Sequence, residues 1–334
     1  MSKRALVLGV TGMDGSHMAD LLLSKGYEVH GFVRRSASPN HWRIEHIKDK
    51  IKITYGDITD QASISNAIKS IQPDEVYNLA AQSFVGYSFQ SPTTTTDITG
   101  IGALNVFEAV RQYAPQAKVF QASSSEMFGK ITETPQRETT RFYPRSPYGT
   151  AKAFAHYSAV NYREAYGLFI ACGIMFNHES PRRGEEFVTR KITKGIANFK
   201  LTGEKIRLGN LNASRDWSYA PELMEAAWTM LQRDKAEDFV LGSGVTHTVK
   251  EWLEKTCEVA GVDFWDAYLQ DTTFERQSEV DYLKADPSKA KKELGWQTKM
   301  SFSELVETMY KSDLKKSVQG DFMGGFYVDP GSKD

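Results

Sequence analysis

The chain has 334 residues, 40% of them hydrophobic and 25% charged, a balance too apolar for disorder and sufficient for a sizeable core. Its 41 basic residues nearly cancel 42 acidic ones, and the formal net charge of −1 gives no global attraction to nucleic acid or to an anionic membrane. Only Cys172 and Cys257 occur, too few for a disulfide framework or a zinc knuckle, so two small core residues in a cytoplasmic setting are expected, with no metal.

The N-terminal Met-Ser-Lys-Arg has the charge of a signal peptide, but the apolar stretch 5–10 is interrupted at once by Thr11, Gly12 and Asp14. No apolar run has the length that a bilayer requires. Short apolar runs at 5–10, 28–33, 51–55, 75–80, 118–122 and 168–176 predict strands, and amphipathic stretches at 17–25, 64–71, 100–113 and 148–166 predict helices between them. Strands alternating with helices of this length make right-handed crossovers. The expected class is therefore α/β, a Rossmann-type doubly wound parallel sheet covered on both faces. Four threonines at 93–96 mark a loop or a helix entry. After Asn177 the rhythm breaks, and 205–208, 223–232 and 251–259 read as pieces of a smaller, mixed α/β domain. The expected division is a cofactor-binding domain over 1–176, with parts of 205–240, and a mainly substrate-binding domain over 177–330.

The first strand runs into Gly9, Val10, Thr11, Gly12, Met13, Asp14 and Gly15 and then into a helix. Glycines there permit a tight turn, close approach of the backbone to a pyrophosphate and close packing of helix on strand. The helix N-terminus adds free N–H groups and a positive dipole end. About 20 residues further on, an acidic residue would mark NAD. This chain has Arg34, Arg35 and Ser36 instead, and guanidinium forks suit a 2′-phosphate, so the cofactor read from them is NADP. A solvated basic turn is the alternative. Asp57 and Ile58 end the third strand where an adenine edge would lie, or simply make a strand-ending turn. Leu79, Ala80, Ala81, Gln82 and Ser83 end the fourth strand with mostly small side chains, against which a cofactor could lie.

Ser146 is a good N-cap and Pro147 suits the first helical position, so a helix begins there and puts Tyr148 and Lys152 on one face. A phenol titrating near ~10 is a poor base at neutral pH unless its phenolate is favoured, which a lysine one turn along can do. Upstream, Ser124 follows the fifth strand with a hydroxyl able to bond a substrate oxygen and share a proton with Tyr148. Glu126, two residues later, is more than carbonyl reduction requires. It suggests proton abstraction from carbon or departure of a β-hydroxyl; a polar loop capping a helix is the alternative.

These residues resemble the GDP-mannose 4,6-dehydratases, within the extended short-chain dehydrogenases. The similarity runs through 9–15, 31–36, 77–83, 121–126, 142–148, 176–184, 187–191, 208–210 and 215–217, thinning after about residue 260. The resemblance implies a redox-neutral lyase using NADP. Sugar C4 is oxidised with Tyr148 as base and Lys152 assisting, Glu126 removes the C5 proton, water leaves C6 and C6 is then reduced. In this pattern His178 and Arg183 belong with the cofactor. Ser83, Asn177, Val188, Arg190, Lys191, Arg215, Arg276 and Glu279 join Ser124 and Glu126 around a GDP-sugar. For His178 the bland alternative is a core histidine, and for the arginines a solvated basic face. A homodimer or homotetramer is implied, associating through the helices at 100–113 and 148–166.

Several positions depart from the family pattern: Ser124 replaces the usual threonine, while 218–222 and 276–280 differ in the substrate half. A related GDP-sugar such as a GDP-heptose is therefore an alternative substrate. A GDP-sugar 4-reductase or epimerase is an alternative reaction, against which Glu126 argues, and a non-catalytic NADP-binding regulator would be favoured by a broken Ser/Tyr/Lys set.

Overall fold

The computed structural model describes residues 2–38, 40–271, 280 and 282–319. Ala5, Leu6, Val7 and Leu8 are all fully buried, because the strand they form is covered on both faces. Alternation divides them: Ala5 and Val7 enter one hydrophobic core, Leu6 and Leu8 the other. Among the described residues this strand, β1 (Arg4–Leu8), lies in a seven-stranded parallel sheet with β2 (Glu28–Val33), β3 (Lys52–Tyr55), β4 (Glu75–Asn78), β5 (Lys118–Ser124), β6 (Ile170–Met175) and β7 (Asp238–Leu241). The spatial order is β7-β6-β5-β4-β1-β2-β3. The direction of winding reverses at β1, and register sets Leu8 opposite both Phe32 of β2 and Asn78 of β4. Such a reversal opens a crevice beyond the carboxyl ends of the strands.

The helices around it are α1 (Met13–Ser24), α2 (Gln61–Ile71), α3 (Gly102–Tyr113), α4 (Pro147–Tyr166), α5 (Val188–Thr202), α6 (Ala220–Leu231), α7 (Val249–Ala260) and α8 (Phe302–Val318). One face of the sheet packs on α1 and α6, through Met18, Leu22, Leu223 and Met230, and the other on α2, α3 and α4, through Ile64, Phe107 and Ala155. Helices α5, α7 and α8 share a separate core of Ile192, Ile196, Trp252, Leu253, Leu305 and Met309, where Trp217 meets Trp252 edge-on at 5.1 Å between ring centroids. Short strand pairs bind this part together, Asn177–Glu179 running parallel to Trp217–Tyr219 and Ser214–Arg215 antiparallel to His247–Thr248.

The differences from expectation lie at element ends. The first strand stops at Leu8 because Gly9 takes a φ of +80°, and α1 starts at Met13, inside the glycine motif. The threonines at 93–96 are a helix entry: Pro92–Thr96 is helical and continues through a π-helical turn at Asp97–Ile101 into α3. Strand β7 and helix α6 come from the second half of the chain and complete the sheet and its cover. No helix among the described residues is long and apolar enough to cross a membrane.

Candidate active site

A cavity of about 1310 Å³ lies over the carboxyl ends of β1, β4, β5 and β6 and reaches α5 and the 208–217 segment. The glycine turn forms its floor. At Gly9 a Cβ would stand 3.0 Å from both Cα and N of Ala80, and its φ is positive, so only glycine fits. At Gly15 a Cβ would stand 2.2 Å from the Gly9 carbonyl oxygen, which is how closely α1 packs on the turn. Gly12 differs: a Cβ there would meet one protein atom, the Gly9 oxygen at 3.1 Å, while the residue itself faces the cavity. Gly12 is also the N-cap of α1 and supplies no side-chain cap, which leaves the helix dipole and its first N–H groups to a ligand.

Thr11, Met13, Asp14, Arg34, Asp57, Ile58, Leu79, Ala80, Ala81, Gln82 and Ser83 all line this cavity. Arg35 and Ser36 do not; both are exposed beyond its rim. Asp57 serves its own turn as well, because its Oδ1 accepts from the N–H of Thr59 at 2.9 Å and from the Thr59 hydroxyl at 2.8 Å. Gln82 is held by the helix entry: its N–H donates to Thr99 Oγ1 and its Nε2 to Thr95 Oγ1, each at 3.2 Å.

At the β5 end the expected chemical groups converge. The Gly149 N–H donates to Ser146 Oγ at 3.0 Å, and Pro147 occupies the first turn, so α4 starts where the cap places it. Tyr148 and Lys152 are buried and line the cavity with Ser124 and Glu126. Ser124 Oγ accepts from the Glu126 N–H at 3.2 Å. At Gly149 a Cβ would stand 2.7 Å from the Glu126 carbonyl oxygen, so α4 rests directly on the turn that carries the carboxylate. Burial pushes the Tyr148 phenol up, and a hydrogen bond with Ser124 acts against that rise. Lys152 Nζ donates to the Ala122 carbonyl at 2.7 Å and lies 5.8 Å from the centroid of the Tyr148 ring. Burial brings its ammonium down to about 8, with the Asp14 carboxylate opposing.

Just beyond the end of β6, His178 Nδ1 lies 2.7 Å from the Phe176 carbonyl and Nε2 lies 3.0 Å from Asp14 Oδ2. Burial alone would lower the His178 pKa; the adjoining Asp14 carboxylate outweighs it and raises the value. Arg183 pairs with buried Glu179 at 3.0 Å, and its guanidinium carbon sits 3.6 Å from the Phe187 ring centroid. Asn177, Val188, Lys191 and Arg215 line the cavity as expected. Arg190 does not. Its guanidinium is buried against Asp313 of α8 at 2.6 Å and donates to the Pro181 and Arg183 carbonyls, so the expected direct contact with a substrate is replaced by an internal one. Arg276 and Glu279 lie outside the described residues.

Sequence reasoning passed over Glu179, Phe187, Lys194 and Asn198, which also line the cavity. Glu179 was within reach, since it stands four residues before Arg183 with opposite charge. Among the described residues no group of three or more His, Cys, Asp or Glu side chains could hold a metal ion.

A doubly wound sheet with a glycine turn at the switch point, and Ser124, Tyr148 and Lys152 around one cavity, defines an extended short-chain dehydrogenase/reductase. Solved structures share the fold. The UDP-glucose 4-epimerase of Thermus thermophilus, in complex with NAD, superposes with a TM-score of 0.82 at 26% identity, covering 93% of this chain and 98% of that one. The dTDP-glucose 4,6-dehydratase of Streptomyces venezuelae gives a TM-score of 0.85 at 21% identity, covering 95% and 98%. The family described as GDP-mannose 4,6 dehydratase matches residues 6–309. GDP-mannose 4,6 dehydratase 1 of Arabidopsis thaliana is 49% identical over 326 residues, 94% of this chain and 90% of that protein. The Homo sapiens GDP-mannose 4,6 dehydratase is 45% identical over 339 residues, 93% and 91%. The chain belongs to the GDP-mannose 4,6-dehydratase family.

Proposed function

We propose that the protein is an NADP-dependent lyase that converts GDP-mannose to GDP-4-keto-6-deoxymannose and water. The observation that carries this reading is a carboxylate, Glu126, set on the same cavity as the Ser124, Tyr148 and Lys152 side chains. Three oxidoreductase groups alone would suit an epimerase or a reductase; the added base is what an elimination requires.

The cavity suits a dinucleotide. It offers a cradle at Gly12 that a Cβ would fill, an uncapped helix N-terminus, and Asp14 Oδ1 buried with no hydrogen-bond partner. Gly9, Thr11 to Gly15, Asp57, Ile58, Leu79 to Ser83, Lys152, His178 and Arg183 would hold it. Such a cofactor would supply reversible hydride transfer, from sugar C4 and back to C6, so that no outside reductant would be consumed. Arg34 supports NADP over NAD, because it lines the cavity at the end of β2 where NAD proteins carry an acid. A charge-assisted bond to the extra phosphate contributes about 1.5–3 kcal/mol, at least tenfold in affinity. Tighter binding of NADP+ than NAD+ by calorimetry is expected, with the preference lost in Arg34→Asp; equal affinities in the unmutated protein would remove this part of the reading.

Tyr148 accepts the proton of the C4 hydroxyl, with Ser124 bonded to the same oxygen. The resulting C4 ketone acidifies the C5–H bond, and Glu126 takes that proton. The electron pair left at C5 forms the C5–C6 double bond as the C6 hydroxyl departs as water, taking the proton that Glu126 holds. One proton returned to C5, matched by the one that Tyr148 took from the C4 hydroxyl and gives up, completes the product. Asn177, Val188, Lys191 and Arg215, which line the same cavity, would hold the nucleotide diphosphate and sugar.

The test is incubation of purified protein with GDP-, UDP- and dTDP-sugars, with no reductant added, followed by mass analysis. Loss of one water from GDP-mannose is expected. A GDP-mannose mass that never changes would overturn the reading.

A further inference from the structure

Arg190 and Asp313 form an ion pair with their side chains 4% and 1% exposed. Such a pair is a poor source of stability, since desolvating both charges costs as much as their attraction returns, and apolar replacements are often neutral or stabilising. Its geometry accounts for it better. One Arg190 nitrogen, Nη1, donates to the Pro181 carbonyl at 3.0 Å and to the Arg183 carbonyl at 2.9 Å. The Arg182 carbonyl between them accepts from Arg43 Nε at 2.7 Å, and Lys316 Nζ also reaches the Pro181 carbonyl at 3.3 Å. Three successive carbonyls of an irregular segment, which no strand or helix satisfies, are thus each bonded to a cationic side chain. That segment carries Arg183 into the cavity. Asp313 is itself fixed, because its second oxygen accepts from Thr193 Oγ1 of α5 at 2.7 Å. It lies beyond residue 309, where the family match ends.

We propose that Asp313 is a positioning residue for the active site. By neutralising and orienting Arg190, it locks the 181–183 backbone and so aims Arg183 at the cofactor. The last point rests on the NADP reading above. Asp313 touches neither substrate nor cofactor; α8 acts on the site through Arg190 of α5, with Lys316 of α8 adding a direct bond to the Pro181 carbonyl.

The decisive variant is the double replacement Arg190→Met with Asp313→Leu, which removes both buried charges and keeps apolar volume. Its melting midpoint should stay close to that of the unmutated protein, while amide exchange over 181–187 accelerates and NADP+ affinity by calorimetry falls about tenfold. Asp313→Asn, which strands the Arg190 charge, should show the same exchange and affinity changes with a lowered midpoint as well. Unchanged exchange over 181–187 in the double variant would overturn the proposal, and so would unchanged NADP+ affinity. Accelerated exchange in a protein that binds no NADP+ in any version would support the backbone lock and defeat the cofactor reading instead.

Discussion

Tyr148 must lose a proton in a site that makes losing it costly. Burial raises its pKa, and what lowers it is first the hydrogen bond with Ser124 and then the charge of Arg183. Tyr148→Phe removes the base and keeps the ring, so kcat should fall by about 10²–10⁴ while GDP-mannose binding, followed by calorimetry, persists. Turnover within a few fold of normal would make Tyr148 structural. Lys152 carries the opposite burden. Its pKa falls from 10.5 to about 8, so between those values the unfolded chain holds more proton than the folded one, and stability rises with pH across that window. Below about 8 the full cost of the buried charge is present, with an upper bound of about 3 kcal/mol for a shift of this size. Lys152→Met should therefore lose activity yet raise the urea midpoint at pH 7, with the gain gone by about pH 10.5; a lower midpoint at pH 7 would contradict this. Ser124, Glu126, Tyr148 and Lys152 each sit at a fixed offset from a strand end or a helix cap, which made their shared placement legible. The internal ion pair of Arg190 was not legible, for a complementary reason. A sequence shows that a side chain is charged, but its partner Asp313 lies far along the chain, and only the fold brings the two together.

At the scale of elements, the glycine motif does two separable things. Gly15 serves packing, since a Cβ there would overlap the Gly9 carbonyl at 2.2 Å; Gly12 leaves room, meeting only that same oxygen at 3.1 Å. Gly15→Ala should lower the melting midpoint sharply, because backbone rather than a side chain must move. Gly12→Ala should change the midpoint little but weaken NADP+ binding by calorimetry, its methyl occupying the cradle. Equal effects of the two substitutions on both measurements would show that the distinction fails. The strand cores could be read from short apolar runs, whose boundaries fell within a few residues of those observed. What escaped was the first turn of α1, because Met13 to Ser16 looks like the tail of a loop, and the π-helical turn at Asp97–Ile101. That turn lies in the helix whose Thr95 and Thr99 hydroxyls meet Gln82, contacts that no periodicity announces.

Over the whole molecule, the active site is a seam between two packed regions. The sheet with its flanking helices supplies the glycine turn, Ser124, Glu126, Tyr148 and Lys152; the core around Trp217 and Trp252 supports α5, which carries Val188 and Lys191 to the same cavity. A parallel sheet in the first half was legible from alternating strands and helices. The return of the chain through α6 and β7 was less so: 223–232 reads only as one piece of a mixed α/β second half, and Asp238–Leu241 is a short apolar strand without a distinguishing period. The proposed reaction is an elimination in which one hydrogen moves within the sugar, from C4 to C6. It is tested most directly with GDP-mannose deuterated at C4, incubated with the protein in ordinary water without reductant, and product analysis by NMR. Deuterium recovered at C6 of a product that has lost one water is the predicted result. Deuterium released to solvent, or retained at C4, would contradict it.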